Sequence, residues 1–421
     1  MKLAPFTPTP DVAALLDLLL DGFEARGGHP KRAVRVKLRD ASARLPGYYS
    51  QVDPAPRSSA NEQLAALEER GWVQLQWEPA QEGHLLASVT LVTEATTPLY
   101  ALIEREPLAA QRRRLRDLLL GNRFRARDWR RLALDRTLER LEAHKSPTPF
   151  RLADEAWNRD LLEGLLALPE ERTMELPYRM FSVRVFNDSK RFDALKGAVA
   201  RLARRAHGEW RGFSLREVLR ELGLVPNPTH LHLAGPWHLV DEAGELLSLA
   251  PFRPSVGIPA RLAARVTRVG TGAARVICVE NLTPFYTLVQ RGDAELAALC
   301  LWGNPSPACR HLLRQLAERL PDDVPLYLWA DIDYGGLNIL AQLRTQVSPR
   351  FIPYRMDLPT LDACARWGRP LTRRDVKNLE RLRDHPALED VVPLIDEMLL
   401  REIKLEQEAL ELSGAGAGPG S

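Results

Sequence analysis

Two aspartates in alternate positions, Asp331 and Asp333, end an apolar run just ahead of Gly335 and Gly336 in LYLWADIDYGGLNIL, residues 326–340. An apolar run of this length closed by a turn signal reads as a buried strand of a parallel sheet, followed by the helix of a βαβ unit. The carboxylates then stand at the strand's carboxyl end, where open α/β sheets bind ligands. The two-residue period of a strand puts both on one side. Two acids facing one spot repel each other unless a cation or a proton intervenes. A cap or a turn needs one aspartate; two in alternate positions point to a hard metal ion.

The elements around this pair repeat the pattern. Residues 274–281, ARVICVEN, read as a second short apolar strand that also ends in an acid, Glu280. Between the two lie a strand-like AALCLWGN and a helix-like PACRHLLRQLAERL, so the order reads β, β, α, β with acids at two strand ends. This segment resembles the Toprim domain, which carries a glutamate at one strand end and Asp-x-Asp at a later one. The resemblance implies that Glu280, Asp331 and Asp333 are catalytic residues that bind Mg²⁺ or Mn²⁺ and serve phosphoryl transfer on nucleic acid. Glu280 is then a ligand or a general acid or base. The helix beginning near Gly336 is expected to aim amide donors at the same phosphate, with Gly335 and Gly336 letting the backbone approach. The closing stretch REIKLEQEAL reads as a last helix. On it Glu402, Glu406 and Glu408 either reach a second metal, with Glu408 the added candidate ligand, or pair with bases on a solvated face.

At 421 residues the chain is too long for one ordinary core and predicts two or three domains. Hydrophobic residues at 45% and charged residues at 27% fit a globular protein, and a net charge of +3 is too slight to identify a partner. The distribution of charge is more informative. Residues 105–131 hold ten arginines, at 105, 112, 113, 114, 116, 123, 125, 127, 130 and 131, against Glu106, Asp117 and Asp128. Such a cluster suits phosphate backbones, with Arg112, Arg113 and Arg114 its centre, or else it is a solvated helix face. No apolar run reaches the roughly 20 residues of a membrane span. The start, MKLAPFTPTPD, lacks the apolar core of a signal peptide. Cys278, Cys300, Cys309 and Cys364 lack Cys-x-x-Cys spacing and read as core thiols of a cytoplasmic protein. No Walker sequence is present, so any ATP-driven step belongs to a partner. The tail 413–421, SGAGAGPGS, reads as disordered.

Residues 1–100 read as a small domain: a helix over 11–24, a strand candidate over 32–38 and a second helix over 60–70 closed by Gly71. A β-hairpin follows, from 72–77 and 84–92. Helix, helix and hairpin is the layout of a winged helix, a DNA- or protein-binding fold. Residues 101–225 read as a mainly helical, arginine-rich connector. Within it 181–191, FSVRVFNDSKR, reads as a strand and turn before a helix over 191–205. Lys190 and Arg191 there either hold a phosphate or stand beside a helix capped by Asp188 or Ser189. Residues 226–412 form the catalytic domain. In it His230 and His232 share a strand face without a clear third ligand, and Gly270 and Gly272 read as a turn.

The expected fold class is therefore α/β multidomain: an N-terminal winged helix, a helical connector and a C-terminal Toprim-like α/β domain. Over nearly its whole length the chain resembles the JetD family, the nuclease subunits of Wadjet anti-plasmid systems. The resemblance is carried by VICVENLTPF, LYLWADIDYGGLNILAQL, VRVFNDSKRFDAL and REIKLEQEAL, the last with Gln407 and Glu408. It implies a homodimer that grips double-stranded plasmid DNA, works with an SMC-like ATPase complex and its kleisin, and does not enter membranes. A related alternative is the A subunit of type IIB topoisomerases, which cut through a winged-helix tyrosine. Tyr48 and Tyr49 in LPGYYSQVD are the candidate nucleophiles on that reading. A catalytically inactive DNA-binding assembly module is the remaining alternative.

Overall fold

The computed structural model describes residues 7–28 and 32–412. The tail 413–421 and the first six residues lie outside the described residues. The chain forms two compact units, Met1–Phe124 with Asp135–Asn158, and Arg125–Leu134 with Arg159–Ser421. The stretch 101–225 is thus divided between the two units.

In the first unit, helix Pro10–Ala25 buries Val12, Leu15, Leu16, Leu19 and Leu20 on one face, each leucine stabilising by about 1.5–3 kcal/mol. Helix Ala55–Glu69 buries Ala60, Leu64 and Leu67 against the same core. Gly71, at φ +71°, turns the chain after it as expected. Strands Arg35–Lys37, Leu86–Leu91 and Val73–Trp77 form an antiparallel sheet in that order, with Leu86–Leu91 central. The sequence order helix, strand, helix, hairpin is present, and the first strand pairs onto the hairpin.

Tyr48 belongs to this core. It is 2% exposed, its hydroxyl donates to Asn61 Oδ1 at 2.9 Å and accepts from the Leu86 amide at 2.9 Å. Tyr49 is half-buried, and its hydroxyl oxygen is buried without a hydrogen-bond partner. Burial raises the pKa of both phenols, which opposes formation of a nucleophilic phenolate.

The arginine cluster is largely neutralised by carboxylates. Arg105 pairs with Asp17, Asp21 and Glu24 of the first helix. Arg114 pairs with Glu106 at 2.6 Å, Arg123 with Asp135 at 2.5 Å and Arg125 with Glu163 at 2.6 Å. Arg130, 7% exposed, is clamped on Asp128 and on the carbonyls of Leu166 and Leu168. Arg112 contacts His144 Nδ1 at 3.0 Å, while Arg113 is exposed.

The second unit is built on a six-stranded sheet. Its order is Phe351–Pro353, Leu326–Trp329, Arg275–Val279, Leu296–Cys300, His230–Ala234 and Val256–Pro259. The first four strands are mutually parallel; His230–Ala234 pairs antiparallel with Leu296–Cys300, and Val256–Pro259 antiparallel with His230–Ala234. Burial on both faces explains the unbroken apolar runs of the central strands Arg275–Val279 and Leu296–Cys300. A helix absent from the expected β, β, α, β order, Leu282–Gln290, connects Arg275–Val279 to Leu296–Cys300. Parallel neighbours require such a crossover. All four cysteines are buried free thiols.

Residues 178–186 form a helix, Tyr178–Phe186, rather than a strand. Phe181 and Ser182 turn inward, and Asn187 ends the helix in the left-handed conformation at φ 55°. Asp188 Oδ1 accepts from the Lys190 amide at 2.8 Å, just before helix Arg191–Ala206. Lys190 is exposed, and Arg191 binds Asp160 at 2.6 Å. Gly270 lies inside strand Val266–Thr271, with Gly272 following it. Among the described residues no helix is long and apolar enough to cross a membrane.

Candidate functional site at two parallel strand ends

Glu280 and Asp331 follow adjacent parallel strands, Arg275–Val279 and Leu326–Trp329, in register through Val279 and Trp329. The chain leaves the first of these strands toward Leu296–Cys300 on one side and the second toward Phe351–Pro353 on the other. The two acids therefore flank the point at which the strand order reverses, where open α/β sheets form a ligand crevice. Between Asp331 and Asp333 stands Ile332, 1% exposed, while both aspartates are half-buried. Burial alternates here as read from the sequence, with Ile332 entering the core between the two half-buried aspartates.

Backbone donors hold one oxygen of each acid. Glu280 Oε2 accepts from the Asp331 amide at 3.1 Å, Asp331 Oδ1 from the Gln407 amide at 2.8 Å, and Asp333 Oδ1 from the Gly336 amide at 2.9 Å. Among the described residues no donor reaches Glu280 Oε1 or Asp331 Oδ2. Asp333 is also the N-cap of helix Tyr334–Gln346, the role a lone aspartate would fill there. The Gly336 amide expected to face a phosphate is taken by that cap. Gly336 is required for another reason: a Cβ there would lie 2.1 Å from the Asp331 carbonyl oxygen. Only glycine lets the helix begin this close to the strand end.

The charge at this edge is poorly compensated. Burial first, then Asp331, Asp333 and Glu217, push Glu280 up to about 8. Asp331 is pushed up to about 7 by burial and by the charges of Asp333, Glu408 and Glu406, against the Gln407 amide. Burial raises Asp333 as well, opposed by the Gly336 amide and by Lys404.

The segment expected as a closing helix is different in form. Helix Val392–Arg401 ends at Glu402 in the left-handed conformation, φ 55°. Ile403–Lys404 is a short strand paired with Arg369–Pro370, and Leu405 bridges Ile332. A new helix, Gln407–Leu412, then begins. Glu402, Glu406 and Glu408 therefore do not share one helical face. Glu406 pairs with Arg369 at 2.5 Å, and Glu408 adds negative charge felt by Asp331.

Two residues that sequence reasoning did not place in the site tie it together. Gln407, 1% exposed, donates through Nε2 to the Trp329 carbonyl at 2.8 Å and accepts from the Asn281 amide at 3.1 Å. It thus staples the ends of both acid-bearing strands. Asn281 in turn donates to Asp331 Oδ1 at 3.4 Å. The only sequence sign of either was the isolated amide in LEQEAL and the one beside Glu280.

The donor chemistry fits Mg²⁺ or Mn²⁺: carboxylate oxygens, partly buried and short of cations. Among the described residues no three His, Cys, Asp or Glu side chains form a ready-made ligand set. Mg²⁺ is commonly held by one or two carboxylates with waters and substrate phosphates rather than by a closed protein cage, so an open arrangement suits it. His230 and His232 take no part in such a set. His232 packs near Tyr286 and Trp302, and burial and His230 lower its pKa.

Residues 239–415 match the family described as Wadjet protein JetD, C-terminal. Across 402 residues the chain is 22% identical to the Wadjet protein JetD of Bacillus cereus (strain Q1), covering 94% of this chain and 97% of that protein. The family match spans the acid-bearing strands and the relative aligns along nearly the whole length, so residues 239–415 carry the C-terminal region of the Wadjet JetD family and the chain as a whole is similar to a JetD protein.

Proposed function

We propose that this chain acts in Wadjet plasmid defence as a metal-dependent DNA endonuclease whose Toprim-type site is Glu280, Asp331 and Asp333. The observation that carries the reading is the position of Glu280 and Asp331 at the ends of adjacent parallel strands, where the strand order reverses, with Asp333 two residues on. Glu280 Oε1 and Asp331 Oδ2 offer free oxygens to one or two Mg²⁺ or Mn²⁺ ions. Held there, such an ion would supply charge neutralisation at the scissile phosphate and a more acidic attacking water. Glu280, held by the Asp331 amide, is on this reading the group that takes a proton from water or gives one to the leaving oxygen. Gln407 and Asn281 fix Asp331 in line with both strand ends. The helix, strand, helix and hairpin of the first unit support a winged-helix DNA-binding role. The SMC-like complex and a second copy of the chain are the partners of this reading.

The tyrosine transesterase reading is weaker because the hydroxyl of Tyr48 is buried and doubly hydrogen-bonded. The test is cleavage of supercoiled plasmid with Mn²⁺ or Mg²⁺, by the full chain alone and with the SMC-like complex and ATP. Cutting that leaves protein-free ends, survives Tyr49→Phe and disappears in Glu280→Ala and Asp331→Ala is expected. Protein-linked ends, or cutting that persists in both acid variants, would overturn it.

A further inference from the structure

Beside the acid cluster a cleft of about 470 Å³ opens in the same unit, beginning at Tyr334, the residue after Asp333. One wall is helix Tyr334–Gln346, which presents Asn338 and Gln342. The facing wall is helix Arg373–Arg383, which presents Arg374, Lys377 and Arg381. These three lie at i, i+3 and i+7, one stripe of an α-helix. All three are exposed.

The cations of this stripe are unmatched, whereas several of those around them are matched. Arg383 on the same helix pairs with Asp396 at 2.8 Å, Arg344 with Asp390 at 2.6 Å and Arg310 with Glu221 at 2.7 Å. The two carboxylates that line the cleft are taken: Glu221 by Arg310, and Glu209 by His207 at 3.1 Å. Among the described residues no carboxylate lies within ion-pair distance of Arg374, Lys377 or Arg381. Arg211 adds a further exposed cation at the rim. On the opposite wall Gln342 is oriented by a bond to Asn304 Oδ1 at 3.0 Å. A row of uncompensated cations opposite neutral amides, ending beside metal-binding carboxylates, has the charge pattern of a phosphodiester track.

We infer that this cleft holds the backbone of the nucleic-acid strand next to the scissile phosphate, with Arg374, Lys377 and Arg381 each taking a phosphate oxygen. From Arg374 to Arg381 the helix rises about 10 Å at ~1.5 Å per residue. Along a duplex axis that spans roughly three phosphates of one strand at ~3.4 Å each. The stripe positions the substrate and does no chemistry. The choice of a nucleic-acid backbone over another polyanion rests on the nuclease reading.

The experiment is binding of a fluorescent DNA duplex to the full chain in EDTA, from 50 to 200 mM salt, where no cutting occurs. Replacing all three residues (Arg374→Ala, Lys377→Ala, Arg381→Ala) removes about three phosphate contacts. The slope of log affinity against log salt should then fall by about 2–3. Affinity at the lower salt should drop at least tenfold, Arg381→Lys should bind like the parent, and Arg383→Ala, which removes a paired cation, should change the slope little. Unchanged slope and affinity in the triple variant overturn the inference. Displacement of the duplex by tripolyphosphate at a concentration far below that of competing salt also overturns it, by making the cleft a small-polyphosphate site. Failure of the nuclease reading looks different: the parent then binds through the stripe yet cuts nothing with Mg²⁺ or Mn²⁺.

Discussion

Removing the charge of Glu280 while keeping its shape should stabilise the metal-free protein. In Glu280→Gln the side-chain oxygen can still accept from the Asp331 amide, as Oε2 does at 3.1 Å, but the repulsion with Asp331, Asp333 and Glu217 is gone. Burial and these neighbours raise the Glu280 pKa from 4.5 to about 8. At ~1.4 kcal/mol per pH unit this corresponds to at most about 5 kcal/mol of destabilisation above pH 8. Solvent reaches the pair and Asp331 shares the repulsion, so roughly half of that, about 2–3 kcal/mol, is expected. The direction with pH follows from the raised folded-state value. Below pH 4.5 Glu280 is protonated in both folded and unfolded chains, and parent and variant should be equally stable. As the pH rises from 4.5 through 8 the parent progressively loses stability that the variant keeps. Urea denaturation in EDTA at pH 5, 6.5 and 8 measures the gap, and a thermal scan should show the variant melting a few degrees higher at pH 8. Millimolar Mn²⁺ should close the gap by stabilising the parent more than the variant, since binding to the folded state alone adds stability. Equal or lower stability of Glu280→Gln at pH 8 in EDTA would refute the claim that these carboxylates are held together against their own repulsion.

Gln407→Ala should leave the Asn281 amide without its partner and remove one of the two donors to the Trp329 carbonyl, which keeps the Glu280 amide. A loss of about 1–3 kcal/mol in urea denaturation is expected, with plasmid cutting lost even where the protein remains folded. Tyr48→Phe should cost about 1–3 kcal/mol, because the Leu86 amide and Asn61 lose their shared hydroxyl. Tyr49→Phe removes a hydroxyl that has no partner and should leave both stability, within ~0.5 kcal/mol, and cutting unchanged.

The acid pattern was legible in the sequence because it is local. Strand alternation alone orders Asp331, Ile332 and Asp333, and the short apolar runs around Glu280 and Asp331 have no other economical reading than buried parallel strands. The first two helices were legible for the same reason, their leucines recurring every three or four residues. Elsewhere, local pattern misled. VRVF alternates like a strand, yet Tyr178–Phe186 is a helix that buries Phe181 and ends on a left-handed Asn187. LTPFYTLVQ was passed over, although a crossover between parallel strands requires it.

What only the tertiary structure decided are the contacts between residues far apart in the chain. Residues 403–405 are extended because Arg369–Pro370 and Ile332 offer backbone partners to them, which no helical count of glutamates reveals. Gln407 reaches Asn281 and Trp329 across 126 and 78 residues. The arginine cluster, counted as an excess of charge, meets its carboxylates on other elements, Arg105 on Asp17 and Arg125 on Glu163, while the less conspicuous stripe of Arg374, Lys377 and Arg381 keeps its charge. Residue types and spacing determine which side chains can bind a metal or a phosphate. Which of them remain uncompensated depends on what the fold brings within a few ångströms, since ion pairing and hydrogen bonding act over that distance and not along the sequence.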